Sequence, residues 1–246
     1  MPCQRAVLGT AVLAFVLVAA PGEAQPTFYH RGTAVIDGVQ AVGEWTGAEA
    51  ADLMVTLPVS FGGASVPVTL FYMNDDANLY VAARLEYDQP VWNPDFLVLL
   101  NLAWPAELDF CDAATVIDEH DLFSQDGNPF HFDMFAEHLT GCDVQLQTPD
   151  ESAGGTSEGS GMWASGGGAT FFEIAQPLDT ADDAHDLSVA VGDRIRTKAT
   201  VAGCDGTGDC GTPAELDLRI FLGDAGIFFF SDFETGDTSE WSVAVP

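Results

Sequence analysis

Positive charge is almost missing from this chain. Seven lysines and arginines stand against 38 aspartates and glutamates in 246 residues, which gives a formal net charge of −31. No nucleic-acid partner is expected, because phosphate binding depends on lysine and arginine, and an anionic membrane surface would repel the chain. The acidity favours either solubility, for example in saline surroundings, or carboxylates gathered around a hard cation such as calcium.

Long apolar runs are also scarce, and the one that exists is N-terminal. Residues Ala6 to Ala20 form an apolar stretch that follows Arg5 and precedes the small residues of 21–24. This order is typical of a signal peptide, here residues 1–24, and the run is shorter than the ~20 apolar residues of a membrane span. We therefore expect a secreted protein, or one held in the periplasm or at the cell surface, without membrane insertion; a retained N-terminal anchor is the alternative.

Cysteine is sparse but even in number once the signal peptide is set aside. Cys3 lies in that segment, which leaves Cys111, Cys142, Cys204 and Cys210. In an oxidising compartment four cysteines predict two disulfides, with three possible connectivities. We favour the pairs 111–142 and 204–210, because each closes a local loop. A zinc site built from these cysteines is disfavoured by their spacing and by the lack of nearby histidine.

Catalytic signatures are missing as well. The chain has no His-Glu-x-x-His and no phosphate-binding loop, and its bare Gly-x-Ser-x-Gly (155–159) and Gly-x-Gly-x-x-Gly (206–211) spacings are not part of a predicted strand-turn-helix unit, which both motifs require. Pairs of carboxylates are so abundant that no single pair stands out as a glycosidase acid and nucleophile. We therefore expect a protein that is not an enzyme.

Helical periodicity is weak, whereas strand signals are frequent. Short runs rich in β-branched and aromatic residues, most of them bounded by Gly, Pro, Asn or Asp, predict strands. These runs are 53–57, 66–73, 79–85, 96–103, 169–175, 193–202, 216–222 and 227–231. Short helical turns are predicted only over 132–139 and 179–186. The fold class predicted is all-β, an antiparallel, jelly-roll-like β-sandwich.

Two segments interrupt the strand pattern. Residues 105–145 are acidic and predict a long loop-rich excursion, and residues 148–168 are rich in Gly and Ser and predict a flexible loop or linker. The second segment could separate two domains, but each side alone has too few strands for a stable sandwich. We expect one domain with long loops over residues 25–226, followed by a C-terminal tail, residues 227–246.

Three motifs together resemble a known family. Residues 36–45 begin Ile-Asp-Gly and end Gly-Glu-Trp, residues 68–84 predict a hairpin with an Asp/Asn turn before Leu-Tyr-Val-Ala, and residues 171–179 read Phe-Phe-Glu-Ile-Ala-Gln-Pro-Leu-Asp. This pattern, over roughly residues 33–222, resembles the family 9-like carbohydrate-binding modules, also called DOMON-like domains. It departs from them at Asn101, where they carry a carboxylate, and across residues 104–142. The tail from Phe230 to Ser242 resembles one found at the ends of many secreted bacterial proteins.

The resemblance implies a secreted, monomeric module that binds a polysaccharide or a glycan end, with calcium stabilising its loops. Sugar rings stack on flat aromatic faces, and loops on a rigid sandwich usually hold the binding site. Trp92, Trp104 and Trp163 all lie in predicted loops, so they are the candidate glycan-binding residues. Trp45 follows a glycine turn and is predicted to fill the core.

Calcium is the expected cofactor, and the acidic excursion supplies its candidate ligands. Asp118, Asp121, Asp126, Asn128 and Asp133 place oxygen atoms within a short stretch around Gly127. The spacing is not that of an EF-hand loop, because Phe123 and Gln125 occupy ligand positions. A solvated acidic loop without a metal is the alternative.

Two other classes of function remain open. Related sandwiches serve as haem-b electron-transfer domains, in which a methionine and a histidine or lysine hold the haem; candidate ligands here are Met73, Met134, His120, His131 and His138. A structural or surface-interaction protein without a small ligand fits the charge and the tail equally well. Transition-metal binding by these three histidines is not favoured by their spacing.

Overall fold

The fold consists of two β-sheets packed face to face. The computed structural model describes residues 27–28, 30–88, 96–103, 116–125, 128–140, 143–182, 185–205 and 211–222. Within them, the chain forms β1 (Thr27–Phe28), β2 (Glu49–Thr56), β3 (Ser65–Asn74), β4 (Asn78–Leu85), β5 (Phe96–Ala103), β6 (Val116–Gln125), β7 (Asn128–Thr140), β8 (Asp143–Pro149), β9 (Ser160–Gly166), β10 (Ala169–Pro177), β11 (Arg194–Gly203) and β12 (Ala214–Phe221). A 3-10 turn (Val59–Phe61) and one short helix, α1 (Asp150–Ala153), complete the described elements.

The strand order defines a larger and a smaller sheet. The seven-stranded sheet runs β1-β12-β11-β5-β6-β7-β8, and the five-stranded sheet runs β2-β3-β4-β10-β9. Neighbouring strands are antiparallel except for the two-residue β1, which pairs in parallel with β12. The predicted all-β antiparallel sandwich is therefore confirmed. No helix in the described part of the chain has the length and apolar character needed to cross a bilayer.

The main hydrophobic core lies between the sheets. Alternate residues of β3, such as Val68, Leu70 and Tyr72, point inward and are almost fully buried. They meet Phe172 and Ile174 of β10 in one cluster. This alternation follows from the two-residue period of a strand, and each buried side chain of this size contributes about 1.5–3 kcal/mol.

A second apolar cluster lies on the outer face of the smaller sheet, where residues 34–45 cover it. Trp45 packs against Phe71 and Phe171, with ring centroids 6.0 and 6.1 Å away. The prediction that Trp45 is buried is confirmed, since only 5% of it is exposed. Gly38 has a φ of 79°, and a Cβ there would lie 2.5 Å from the backbone of Trp163, so the turn requires glycine.

One carboxylate anchors the Ile-Asp-Gly…Gly-Glu-Trp segment. Glu173 on β10 accepts hydrogen bonds from the backbone N–H groups of Asp37 and Gly38, at 3.1 and 2.7 Å. It also accepts one from the indole Nε1–H of Trp45, at 3.1 Å. Burial raises the pKa of Glu173 to about 7, against the opposing effect of these donors. The first and third family-like motifs are thus parts of one contact.

The predicted hairpin is also held by a carboxylate. Asp75 accepts hydrogen bonds from the backbone N–H groups of Ala77 and Asn78, both at 2.8 Å, in the turn between β3 and β4. Its second oxygen accepts from the hydroxyls of Tyr80 (2.7 Å) and Thr33 (3.2 Å). Burial opposes these hydrogen bonds, but together they lower the pKa of Asp75. The residue is therefore a turn residue, as Asp commonly is.

The strands predicted from residues 53–103 and 169–222 are confirmed as β2, β3, β4, β5, β10, β11 and β12. Three other expectations were wrong. The excursion 105–145 contains β6, β7 and most of β8 instead of loops, and residues 132–139 extend β7 instead of forming a helix. Residues 148–168 contain α1 and β9 instead of a flexible linker. The strand predicted at 227–231 and the tail lie outside the described residues.

Candidate functional site

Five acidic side chains and one histidine converge between the two sheets. We call this group the carboxylate cluster; its members are Asp118 and His120 of β6, Asp133 of β7, Asp150 of α1, Glu158 before β9 and Asp186 after β10. All except Glu158 are buried. Gln176 of β10 borders the cluster from the smaller sheet, because its amide donates to Asp118.

Strand alternation explains how these residues reach the interior. His120 is the register partner of Asp133, and Leu122 is the register partner of His131 on the adjacent strand. Leu122 belongs to the main core, so Asp118 and His120, four and two residues before it, continue the same inward face. The inward face of β6 is therefore apolar at one end and carboxylate-rich at the other.

The centre of the cluster is His120. Its Nε2 lies 3.3 Å from Oδ1 of Asp118 and 3.6 Å from Oδ1 of Asp133. Its Nδ1 lies 3.1 Å from Nε2 of His131, and the two rings are stacked with centroids 5.3 Å apart. The other oxygens are held separately: Oδ2 of Asp118 accepts from the Leu187 N–H at 3.2 Å, and Oδ2 of Asp133 accepts from the Glu158 N–H at 2.6 Å.

Many oxygens of the cluster lack a hydrogen-bond partner although they are buried. They are Oδ1 of Asp118 and Asp133, both carboxylate oxygens of Asp150 and Asp186, Oε2 of Glu158 and the neighbouring Oε1 of Gln176. A buried polar atom without a partner costs about 1–3 kcal/mol, and more when it is charged. So many buried oxygens without partners are expected to bind either protons or cations.

The pKa values of the cluster also indicate that its carboxylates tend to bind protons or cations. Burial raises the pKa of Asp133 to about 7 and that of Asp150 to about 8, and the adjacent Asp186 contributes to the rise at Asp150. Burial alone would lower the pKa of His120, but Asp118 and then the charges of Asp133 and Asp186 raise it to about 9. Burial and the nearby His120 lower the pKa of His131 to about 3.

The geometry divides the possible metal ligands into two groups that share one residue. Asp118, His120 and Asp133 form the first group, and Asp133, Glu158 and Asp186 form the second; within each, the ligand atoms lie within 4.8 Å of one another. The second group is all oxygen, which suits calcium, whereas the first includes an imidazole nitrogen. These groups occur in the described residues, and both are positioned by backbone elements of the sandwich.

Only part of the predicted calcium site is brought together. Asp118 and Asp133 lie in the carboxylate cluster, but Asp121 lies on the opposite face of β6, buried beside Glu119. Burial and then the Glu119 charge raise the pKa of Asp121 to about 8. Asn128 is the first residue of β7, and Asp126 lies outside the described residues. A calcium loop confined to 118–133 was therefore the wrong geometry, because a hairpin sends alternate side chains to opposite faces.

The sequence reasoning missed Asp150, Glu158 and Asp186. They are 17 to 68 residues from Asp118 and Asp133 along the chain and join them only through the fold of the sandwich. Asp186 does lie in the Asp-Leu pair that follows the third family-like motif. That position was the one signal that could have drawn attention to it.

The candidate tryptophans fall in different places. Trp163 lies in β9, is only 9% exposed and packs near Phe172 with ring centroids 6.2 Å apart. The expectation that it lies in an open loop was wrong, because β9 pairs with β10 and turns it toward the core. Trp92 and Trp104 lie outside the described residues, so their roles stay predictions.

The cysteine pairings also stay predictions. Cys204 directly follows β11 and is half-buried. Cys111, Cys142 and Cys210 lie outside the described residues.

The methionines and histidines of the haem hypothesis are not brought together. Met73 is buried on the outer face of the smaller sheet beside Trp45 and Tyr80. Met134 shares its register row with Glu119, on the face of β7 opposite to that of His131 and Asp133. His120 and His131 point between the sheets, and the side chain of His138 lies outside the described set. No Met–His pair among the described side chains forms an axial ligand set.

Open clefts lie on the described surface, among them the following two. One, of about 590 Å³, is lined by Asp76, Ala77, Leu178, Asp179, Val189, Ala190 and Val191. The other, of about 350 Å³, is lined by Gln40, Ala41, Val42, Gly43, Trp45, Thr46 and Phe71.

Comparison with solved structures places this architecture. A carbohydrate-binding module of family 9 from Caldicellulosiruptor kristjanssonii, in complex with cellotriose, superposes with a TM-score of 0.51 at 14% identity, covering 83% of this chain and 97% of that one. The fold of this chain is similar to that of this family 9 carbohydrate-binding module. A family 9 module from the same organism, in complex with glucose, aligns with a TM-score of 0.44 at 13% identity over 81% of this chain and 96% of that one. No protein-family model and no curated protein matches the chain.

Proposed function

We propose that this chain is a secreted, non-catalytic carbohydrate-binding domain stabilised by calcium. The observation that carries the proposal is the likeness in fold to the family 9 module bound to cellotriose, over 83% of this chain and 97% of the other. The family-like motifs of the sequence support it, because the Ile-Asp-Gly and Gly-Glu-Trp ends of residues 36–45 meet the third motif at Glu173. The ligand is a polysaccharide or the end of a glycan, and the domain acts as a monomer.

The proposed sugar contacts come from aromatic side chains in loops. Trp92 and Trp104 remain the candidates, since Trp163 is packed into the core. An exposed indole ring offers a flat apolar face for a pyranose, and nearby Asp, Asn, Gln and Arg side chains fix its hydroxyls. Cello-oligosaccharides are the first ligands to try, because the similar module is bound to cellotriose.

The proposed calcium ion occupies the all-oxygen part of the carboxylate cluster. Asp133, Glu158 and Asp186 offer oxygens within 4.8 Å of one another, and Asp150 lies next to Asp186. The unpartnered oxygens of these residues supply the carboxylate ligands that calcium prefers. Because they come from β7, α1 and two loops, a bound ion would tie together segments that are distant in sequence.

The sugar-binding proposal is tested by retention on a panel of insoluble polysaccharides, including cellulose and xylan, with calcium present. We expect retention on at least one polymer, reduced at least tenfold by Trp92→Ala or Trp104→Ala, since a hot-spot aromatic contributes about 2 kcal/mol or more. Trp163→Phe serves as the matched control, because it changes a buried tryptophan and should leave retention unchanged. Absence of retention on every polymer would instead favour a surface-interaction protein without a small ligand.

The calcium proposal is tested by thermal unfolding with calcium, magnesium or a chelator. We expect calcium to raise the free energy of unfolding by about 2.7 kcal/mol when it is present at 100 times its dissociation constant. Asp186→Asn should remove most of that gain. Asp52→Asn is the control, because Asp52 is exposed and hydrogen-bonded only to Thr69 among the described residues, at 2.8 Å. A gain equal in wild type and Asp186→Asn would place calcium elsewhere.

A further inference from the structure

Three possible metal-ligand atoms of the carboxylate cluster lie close together. They are Nε2 of His120, Oδ1 of Asp118 and Oδ1 of Asp133. All three residues are at least 97% buried, and both oxygens lack a hydrogen-bond partner. We propose that Asp118, His120 and Asp133 form a three-ligand zinc site, which shares only Asp133 with the calcium site proposed above.

The two distances from Nε2 of His120 match those between ligands of a tetrahedral zinc ion, and all three ligand atoms lie within 4.8 Å of one another. Zinc binds imidazole nitrogen and carboxylate oxygen at about 2.0–2.2 Å, so two ligands at a tetrahedral angle stand about 3.3–3.6 Å apart. The observed separations from Nε2 of His120 are 3.3 Å to Asp118 and 3.6 Å to Asp133. Hydrogen bonds between an imidazolium and a carboxylate are shorter, about 2.7–2.9 Å. Both observed separations are longer than such hydrogen bonds.

The remaining atom of each ligand is held by a second residue. Oδ2 of Asp118 accepts hydrogen bonds from the Gln176 amide and from the Leu187 N–H, and Oδ2 of Asp133 accepts one from the Glu158 N–H. Nδ1 of His120 lies 3.1 Å from Nε2 of His131. With a proton on Nδ1, His120 donates to His131 and leaves Nε2 free to bind a metal. Outer hydrogen bonds of this kind orient the ligands in metal sites.

The strand geometry makes the site rigid. Asp118 and His120 are two residues apart on β6, so they share its inward face, and Asp133 is the register partner of His120 on β7. Two adjacent strands thus supply all three ligands, without a mobile loop. Zinc with three protein ligands retains a fourth position for water or another donor. Because the three ligands are buried, the role we infer for the ion is structural.

The test is a zinc titration of the metal-free protein by calorimetry, with circular dichroism to check folding. We expect one zinc ion per chain, and about 100-fold or greater loss of affinity in His120→Gln and in Asp118→Asn, by analogy with the 10–100-fold cost of disturbing even the outer shell of a metal site. His30→Gln is the matched control, since His30 also contacts a carboxylate, Glu49, at 2.9 Å but lies outside both ligand groups. Zinc affinity unchanged in His120→Gln would overturn the proposal.

A second measurement uses the unmodified protein and so does not depend on a variant that folds. Cobalt(II) in a tetrahedral nitrogen and oxygen site gives an intense visible absorption that an octahedral site lacks. We expect this band in the cobalt-loaded protein and its loss on adding zinc. A weak octahedral spectrum, or no binding of zinc or cobalt, would contradict the site. Calcium stabilisation that persists in His120→Gln would separate failure of this site from failure of the calcium proposal.

Discussion

Removal of the Glu173 carboxylate should release the segment that covers the smaller sheet. Glu173 is fully buried and accepts three hydrogen bonds, from the N–H groups of Asp37 and Gly38 and from Trp45 Nε1. Each hydrogen bond to a charged acceptor contributes about 1.5–3 kcal/mol, but the burial of the charge opposes this and the terms are not additive. We therefore expect Glu173→Ala to lower the free energy of unfolding by about 3–5 kcal/mol, among the large effects of a single change.

The assay is urea unfolding followed by circular dichroism, together with thermal unfolding. A loss of this size corresponds to a fall in Tm of about 10 °C, at ~2–4 °C per kcal/mol for a chain of this length. Glu86→Ala is the matched control on the same face, because Glu86 is exposed and pairs with Arg84 at 2.7 Å. Such exposed pairs contribute about 0–1 kcal/mol. A Glu173→Ala effect no larger than that of Glu86→Ala would refute the anchoring role of Glu173.

Three further predictions concern the carboxylate cluster, the hairpin turn and the buried Trp163. The metal-free protein should lose stability as the pH rises from about 4 to 9. The reason is that the raised pKa values of Asp133 (about 7), Asp150 (about 8) and His120 (about 9) all favour proton binding by the folded state. Unfolding at pH 5 and pH 8.5 checks this, and equal or greater stability at pH 8.5 would contradict it. Asp75→Ala should lower the free energy of unfolding in urea by about 2 kcal/mol. Asp75→Asn should lower it by about half as much, because it keeps the oxygen that accepts hydrogen bonds from the N–H groups of Ala77 and Asn78. Equal losses for the two variants would argue against the turn contacts. Trp163→Ala should cost about 3–5 kcal/mol, as for other large buried side chains, and a loss below 1 kcal/mol would mean that the indole is not in the core.

The sequence could predict the strands whose apolar residues follow one of the usual strand patterns. In β3, apolar residues such as Val68 and Leu70 alternate with polar or exposed ones, so strand and core face are readable directly. Strands β4 and β10 of the smaller sheet are instead buried on both faces, and their short, mostly apolar runs between turn residues indicate strands. The hairpin turn is readable because Asp and Asn stabilise tight turns.

Strand β6 could not be predicted from the sequence because its buried side chains include several ionisable ones. Residues 118–121 are Asp-Glu-His-Asp, so both faces of the strand carry ionisable side chains and no apolar period appears. All four are nevertheless buried. Buried groups of this kind depend on partners such as Gln176 and Asp186, which are distant in the chain. Violations of the hydrophobic pattern are expected at functional sites, and this one coincides with the carboxylate cluster.

Strand β9, which contains Trp163, was not predicted because its glycines are also typical of a flexible loop. Gly161 lies inside β9, where a Cβ would come within 3.0 Å of both His131 and Leu122. The glycine therefore permits close approach of β9 to the β6–β7 hairpin, although the same composition is typical of a flexible loop. Close packing between strands distant in sequence leaves no local signal that separates the two cases.

The central claim, that the chain is a carbohydrate-binding domain, is tested most directly by native electrophoresis through gels that contain soluble polysaccharides, with calcium present. The account predicts that at least one polysaccharide retards the wild-type protein and that the matching free oligosaccharide restores its mobility. Trp163→Phe should behave as wild type. Identical mobility in every gel, for protein that is folded by circular dichroism, would contradict the account.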